Sequence, residues 1–443
     1  MKIQLSEHFT YKKLLRFVFP SIIMMIFTSI YGVVDGLFVS NFVGKTSFAA
    51  INLIMPFIMI LGALGFMIGT GGSAIVAKTL GEGKKEKANQ YFSMLVYITI
   101  LGGILVSILG ALFVRPIAVL LGAEGEMLGQ CVLYGRILFV SLTAFMLQNV
   151  FQSFFVAAEK PQLGLFVTIA AGVTNMVLDY LFIAVFRWGI AGAAIATAAS
   201  EFIGGIVPLI YFLRKNSSLL RLTRTKIYGR ILLKACTNGS SELMTNLSMS
   251  IVNMLYNFQL MNIAGEDGVA AYGVIMYANF IFLSTFIGYS IGSAPIVGYH
   301  YGAANHSELK NLFKKSLIMI GIWGLVLVTL AVGLSSPLAR LFVGYDVELM
   351  EMTRHGFRLY ALAFLVSGFN IFGSAFFTAL NNGLISAVIS FLRTLVFQMT
   401  VVLILPRFLG INGIWLAIVV AELLALVVTV QFLVRKKNVY HYM

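Results

Sequence analysis

Five polar side chains sit where an apolar helix should carry none. Asp35 lies in the apolar stretch 16–40, Asn175 and Asp179 in 163–186, and Thr197 and Glu201 in 189–213. Each acid has a polar residue four positions before it: Tyr31 before Asp35, Asn175 before Asp179, Thr197 before Glu201. Residues at i and i+4 share a helix face, so each pair forms one polar stripe. An ionisable group at membrane depth is expensive and marks a functional candidate. No Lys or Arg stands near the depth of the two aspartates in these stretches. A carboxylate without a fixed cation either takes up a proton or binds a metal cation. Two carboxylates, an amide oxygen and a hydroxyl make a hard, all-oxygen donor set suited to Na+. The expected chemistry is reversible capture of Na+ or H+ by Asp35, Asn175, Asp179 and Thr197. Tyr31 and Glu201 stand beside that set, and Glu201 reads equally well as site or as scaffold.

The elements that position these residues are membrane helices. Hydrophobic residues make up 59% of the 443-residue chain and charged residues 11%, with a mean hydropathy of +0.94. A soluble domain carries roughly 25% charged residues, and a bilayer core takes roughly 20 apolar residues per helix. Apolar stretches of that length recur at 16–40, 49–77, 91–114, 130–156, 163–186 and 189–213, then at 235–261, 269–298, 312–335, 351–379, 384–406 and 411–434. The first and fifth start on one side, and both aspartates lie past their midpoints. The sixth starts on the other side, with Thr197 in its first third. Three helices thus bring oxygen ligands to one level.

The chain also repeats itself. A shift of 221 residues places Gly44 on Gly265, Gly81 on Gly302, Pro116 on Pro337, Asn149 on Asn370 and Glu201 on Glu422. An even number of spans per half makes the halves parallel repeats, the pattern of transporters built around a central pathway. The predicted fold is all-α and integral to the membrane. Twelve transmembrane helices form two six-helix bundles, a V-shaped pair of lobes about a pseudo-two-fold along the membrane normal. The expected division is an N-lobe over 1–215, a basic linker over 216–234 and a C-lobe over 235–443.

The basic residues orient it. Of the 31 Lys and Arg, 22 fall on the ends and loops of one side and 8 on the other, with Arg393 inside a span. The positive-inside rule then predicts a multi-pass cell-membrane protein with both termini in the cytoplasm. It also accounts for the net charge of +14 without nucleic acid as a partner. Met1–Pro20 has no cleavage site of the signal-peptide type. Cys131 and Cys236 fall near opposite faces, too far apart to pair.

The repeat copies the scaffold and not the acids. The counterparts of Asp35, Asn175, Asp179 and Thr197 are Tyr256, Val396, Thr400 and Ile418. Only Glu201 is kept, as Glu422, which favours a scaffold role for Glu422. The second half carries amides instead. Asn246, Asn253 and Asn257 share one helical face, and Asn279, Asn370 and Gln398 lie on other spans. With Met254 and other soft side chains, Asn253, Asn257, Asn370 and Gln398 are candidates for a mostly apolar substrate cleft. Glu242 lies near the end of the seventh span. Arg393 either snorkels to the surface or lines the cavity. Pro20 is a candidate bend in the helix that carries Asp35. Gly288-Tyr-Ser290-Ile-Gly292 matches a nucleophile-elbow pattern, but a mid-span setting makes it a small-residue packing motif. No nucleophile-and-base set or metal-ligand cluster is visible, so an intramembrane enzyme is not the expectation.

Six plus six spans, Tyr31-x-x-x-Asp35, Asn175-x-x-x-Asp179, Thr197 eighteen residues after Asp179 and Pro20 fifteen before Asp35 resemble the multidrug and toxic compound extrusion (MATE) family over the whole chain. The resemblance implies a secondary antiporter whose N-lobe acids bind Na+ or H+ and whose alternating access expels amphipathic or cationic compounds. It implies Asp35, Asn175, Asp179 and Thr197 as the ion site. The expected coupling ion is Na+ or H+ with no other cofactor. The partners are small-molecule substrates and the bilayer, and the chain is expected to act as a monomer. The competing expectation is a flippase for a lipid-linked precursor, whose cavity would be cationic.

Overall fold

The structure is a computed structural model describing residues 3–443. All regular secondary structure among the described residues is helical, because backbone groups in hydrocarbon must be satisfied within the segment. In order the helices are α1 (Tyr11–Phe42), α2 (Lys45–Gly81), α3 (Lys85–Leu120), α4 (Gly125–Ala157), α5 (Pro161–Asp179) and α6 (Gly189–Leu213). They continue with α7 (Gly229–Gly302), α8 (His306–Val343), α9 (Val347–Ala361), α10 (Phe364–Ala379) and α11 (Gly383–Phe391). The last are α12 (Gln398–Ile404), α13 (Pro406–Leu409) and α14 (Ile411–Tyr440). One π-helical stretch, Tyr180–Val185, follows α5, and another, Leu392–Phe397, joins α11 to α12.

Among the described residues, ten helices are each long and apolar enough to cross a membrane, and the α9–α10 pair, bent by 48° at a break, makes an eleventh. One of the ten, α7, runs for 74 residues and holds a non-helical residue, Gly265, at φ 63° and ψ −151°. It therefore supplies two spans, and the architecture has the twelve that hydropathy predicts. Side chains close the first turns of several helices. Thr10 accepts from the Lys13 amide, Asn305 from that of Glu308, and Asp346 from those of Glu348 and Leu349, satisfying donors that a helix start leaves open.

The backbone follows the 221-residue register. Left-handed conformations pair across it: Gly44 (φ 102°) with Gly265 (φ 63°), Gly189 (φ 58°) with Gly410 (φ 55°), and Gly83 (φ 75°) with Ala304 (φ 52°). The bundles also touch symmetrically. A Cβ on Gly81, at the end of α2, would lie 1.9 Å from the Tyr299 carbonyl oxygen. A Cβ on Gly302, at the end of α7, would lie 2.0 Å from that of Lys78. Lys78 and Tyr299 are themselves one repeat apart, so the crossing is a two-fold contact that only glycine permits at both positions.

Further close approaches lie toward the same face. A Cβ on Gly288 would meet Ser21 and Ile22, and one on Gly292 would meet Val18 of α1. The Gly288–Gly292 string is thus a packing surface between the lobes.

The linker is shorter than expected. Helix α6 ends at Leu213 and α7 begins at Gly229, so the 229–234 part of the predicted 216–234 linker is helical. Arg230 and Lys234 are good helix formers and do not stop the helix. The remaining linker lies along α3. The Arg221 amide donates to Asn89 Oδ1 at 2.8 Å, that of Thr223 to Ser93 Oγ at 2.8 Å, and the Tyr228 hydroxyl to Gln90 Oε1 at 2.6 Å. Leu220 and Leu222 are buried there.

Candidate functional site

Three N-lobe helices bring the expected oxygen donors together. Asp35 comes from α1, Asn175 and Asp179 from α5, and Thr197 from α6. The carboxyl groups of Asp35 and Asp179 lie within hydrogen-bonding reach of each other. As two carboxylates neither can donate, so the pair needs a shared proton or a cation between its oxygens. Asp179 is fully buried and Asn175 nearly so. Five buried oxygens here have no hydrogen-bond partner: Asp35 Oδ1, Asn175 Oδ1, both Oδ atoms of Asp179 and Thr197 Oγ1. Buried polar groups are normally paired. Five orphan acceptors in one cluster are what a bound hard cation, or a proton with ordered water, would satisfy. No Lys or Arg among the described residues forms an ion pair with these acids.

The chain sets this geometry locally. Pro161 starts α5 at its first turn, and the π-helical stretch begins directly after Asp179. Such bulges loosen the i→i+4 ladder and are frequent at functional sites. Pro20 is buried within a continuous α1, where its missing N–H leaves one backbone acceptor free fifteen residues before Asp35.

Helix α4 contributes residues that sequence reasoning missed. Ser141 Oγ donates to Glu201 Oε2 at 2.5 Å. The Tyr134 phenol comes close to Thr197 and shares the field of Asp35, Asp179 and Glu201. Gln148 meets Tyr31. These three are spaced by seven, one helical face, and that spacing is the signal that could have found them.

The C-lobe holds a cavity of about 330 Å3 instead. Its wall includes Asn253, Gln398, Arg393, Glu242 and Glu422, with Met25 and Ser29 of α1 on the N-lobe side. Its lining surface is mostly apolar, as expected from the sequence, although twelve of its 33 lining residues are Ser or Thr. Met249, Met276, Asn253 and Asn279 contribute to it as expected, and hydroxyls of α1, α2, α4, α7, α10 and α11 also face inward. Of the predicted cleft residues, Met254 is 74% exposed and Asn257 is exposed, both outside the cavity. Asn253 lines it, with its Oδ1 accepting from the Tyr272 hydroxyl at 3.0 Å. Asn370 is fully buried behind it.

Arg393 does not snorkel. It belongs to the second π-helical stretch, and its Nε and Nη2 reach Glu422 Oε1 at 2.9 Å each, with Nε also 3.0 Å from Oε2. Glu422 is 1% exposed and also accepts from Asn370 Nδ2 at 2.7 Å. Thr429 donates to Asn370 Oδ1 at 3.0 Å. The guanidinium fork fits a carboxylate with two parallel bonds, and such a partner at hand is why the side chain stays inside.

A family model, MatE, matches the chain twice, over residues 20–181 and 243–404. The chain therefore belongs to the MatE family, and it is a membrane transporter with one family unit in each lobe. Among its relatives is the multidrug export protein MepA of Staphylococcus saprophyticus, 23% identical over 93% of this chain and 91% of that protein. MepA of Staphylococcus haemolyticus is likewise 23% identical, over 94% of this chain and 92% of that protein. Among solved structures, an outward-facing multidrug resistance MATE transporter of the MOP superfamily aligns with a TM-score of 0.93 at 23% identity, covering 99% of this chain and 98% of that one. A MOP superfamily transporter from Pyrococcus furiosus, described by a reversed polarity of its binding pocket, aligns at 0.90 and 23% identity, covering 98% of this chain and 97% of that one.

Proposed function

We propose that this transporter is a secondary antiporter that exports amphipathic or cationic small molecules against the entry of Na+ or H+. The observation that carries the reading is the cluster of five partnerless buried oxygens on Asp35, Asn175, Asp179 and Thr197. A single Na+ or H+ entering there cancels one of two facing negative charges and relieves their repulsion, and its departure restores it. That difference in free energy between loaded and empty states is what shifts a two-state equilibrium. Tyr31, Tyr134, Ser141 and Glu201 hold the surrounding polar network, and Pro20 lets α1 bend as Asp35 changes its load. The names of the MepA relatives support multidrug export as the class of work.

The substrate is held in the C-lobe cavity. Helix α1 carries Asp35 and also forms part of the cavity wall through Met25 and Ser29, so one element can report the ion state to the substrate. Arg393 is paired with Glu422, and Glu242 is a further acid in the wall, so two acids face one base in the cavity. An acidic cavity attracts cations and repels phosphate. For that reason the drug-exporter reading stands ahead of the lipid-linked flippase. The protein works as a monomer in the cell membrane with its termini in the cytoplasm, as the asymmetry of Lys and Arg supports.

The test is reconstitution of the full chain in liposomes, with an imposed Na+ or pH gradient and a fluorescent organic cation inside. Gradient-driven efflux that Asp179→Asn abolishes supports the reading. Efflux indifferent to both gradients overturns it.

A further inference from the structure

Residues 3–10, ahead of α1, are not a loose tail. Leu5 and Phe9 are fully buried. They share one apolar cluster with Ile296 and Leu309 of the C-lobe and with Val156 of α4. The ring of Phe9 stands edge-on to Phe17 at 6.0 Å and to His300, on the last turns of α7, at 6.4 Å. A short turn shapes the segment. The Gln4 amide donates to Glu7 Oε1 at 3.1 Å, and Lys13 Nζ lies 2.7 Å from Glu7 Oε2. Lys13 and then the Gln4 amide hold the Glu7 carboxyl below its ordinary range, so the turn stays ionised and closed.

Two buried acids grip this segment, and they belong to different lobes. The Leu5 amide donates to Glu159 Oε1 at 2.8 Å. Glu159 sits in the bend between α4 and α5 of the N-lobe, at φ 59°. The Phe9 amide donates to Glu308 Oε1 at 2.9 Å, and His8 Nδ1 lies 2.6 Å from Glu308 Oε2. Glu308 is in the first turn of α8, in the C-lobe. The Phe9 carbonyl accepts from Asn311 Nδ2 at 3.0 Å and from Lys315 Nζ at 2.6 Å, both also on α8. The anchors lie on the face where Gly81 and Gly302 bring the lobes into backbone contact.

We propose that residues 3–10 form a latch that holds the two lobes shut on the face carrying the termini. A segment bonded to the α4–α5 bend and to the start of α8 at once spans the seam. The lobes cannot part on that face until one anchor breaks. Breaking either one leaves a buried carboxylate short of a donor and uncovers Leu5 or Phe9, so the latch adds a threshold to opening. The alternating-access reading supplies its purpose, since release would then be one step of the cycle. The latch itself stands on the geometry alone.

The test uses the full chain in liposomes, with Cys131→Ala and Cys236→Ala as background. Spin labels at Lys87→Cys on α3 and Lys310→Cys on α8, both exposed positions on opposite lobes, report the separation by pulsed electron resonance. The latch is then cut at either end, by Glu159→Ala or by Phe9→Ala with Glu308→Ala, each of which removes the acceptor oxygens. The expected result is a longer-distance population that rises at least about tenfold relative to the uncut chain. Two ends are cut independently, so misfolding of one variant leaves the other to decide. A folded variant of either kind with an unchanged distance distribution overturns the latch. Gradient-driven efflux is a separate measurement. Its absence with a working latch would sink the antiporter reading and leave this one standing.

Discussion

Glu201 and Glu422 occupy the same place in the repeat and live in different surroundings. Glu422 is clamped by Arg393 and Asn370. Glu201 accepts a hydroxyl from Ser141 and has no cation partner among the described residues. One position explains much of the difference. The repeat counterpart of Arg393 is Gly172, and a Cβ at Gly172 would already lie 2.5 Å from Phe27 and 2.8 Å from the ring of Tyr31. In the N-lobe the space above the conserved acid is filled by a phenol, and in the C-lobe a guanidinium takes that role. Glu422 thus has a fixed counter-charge within bonding distance, and Glu201 has none among the described residues. On the proposed antiport reading, the same twelve-span scaffold carries one lobe with a switching site, whose acids lack a fixed counter-charge, and one lobe locked by an ion pair.

The comparison breaks most visibly at the switching site. Asp179→Asn removes one of two facing carboxylates while keeping the side-chain shape. Gradient-driven efflux should fall to the level of empty liposomes, with thermal unfolding in detergent little changed. Full efflux in this variant would show that the lobe without a fixed counter-charge is not the coupling lobe.

The locked lobe predicts a loss of stability. Arg393→Leu strands Glu422 in a buried site, and breaking such a pair from one side costs roughly 3–5 kcal/mol. The double variant Arg393→Leu with Glu422→Leu should recover most of that, because two apolar side chains leave no charge to desolvate. Thermal unfolding of the two variants side by side is the measurement. Equal losses in both would mean that packing, and not charge, dominates the position.

Symmetry gives a sharper and smaller test. Gly81→Ala and Gly302→Ala each push a methyl group against a backbone carbonyl at the lobe crossing, and overpacking costs about 1–3 kcal/mol. The two should be close to equal, since each is the other's image. Their double variant should fall short of the sum, because both act on one contact. A clear inequality would show that the two-fold contact is not shared evenly. The smallest effect is expected from Ser141→Ala, which takes one donor from Glu201 at a cost of about 1–2 kcal/mol. It should also shift the pH profile of efflux if Glu201 belongs to the switching network, and leave that profile alone if it is scaffold.

The sequence by itself determined the span count, the repeat and the level at which Asp35, Asn175, Asp179 and Thr197 meet. Those features are properties of period and length: a helix rises by a constant amount per residue, so depth is readable from position along a span. It could not show which acid finds a cation. Arg393 lies twenty-nine residues from Glu422, and only the docking of the Leu392–Phe397 stretch against α14 closes that pair. Nor could it show that α4 lends Ser141 to Glu201, or that Met254 and Asn257 turn away from the cavity while a ring of hydroxyls turns in. The latch was equally invisible, because two backbone amides found carboxylates some 150 and 300 residues along the chain. Periodicity fixes which side chains share a face within one helix. Only the packing of helices decides what that face meets, and the charge of a buried group is set by the neighbour it meets.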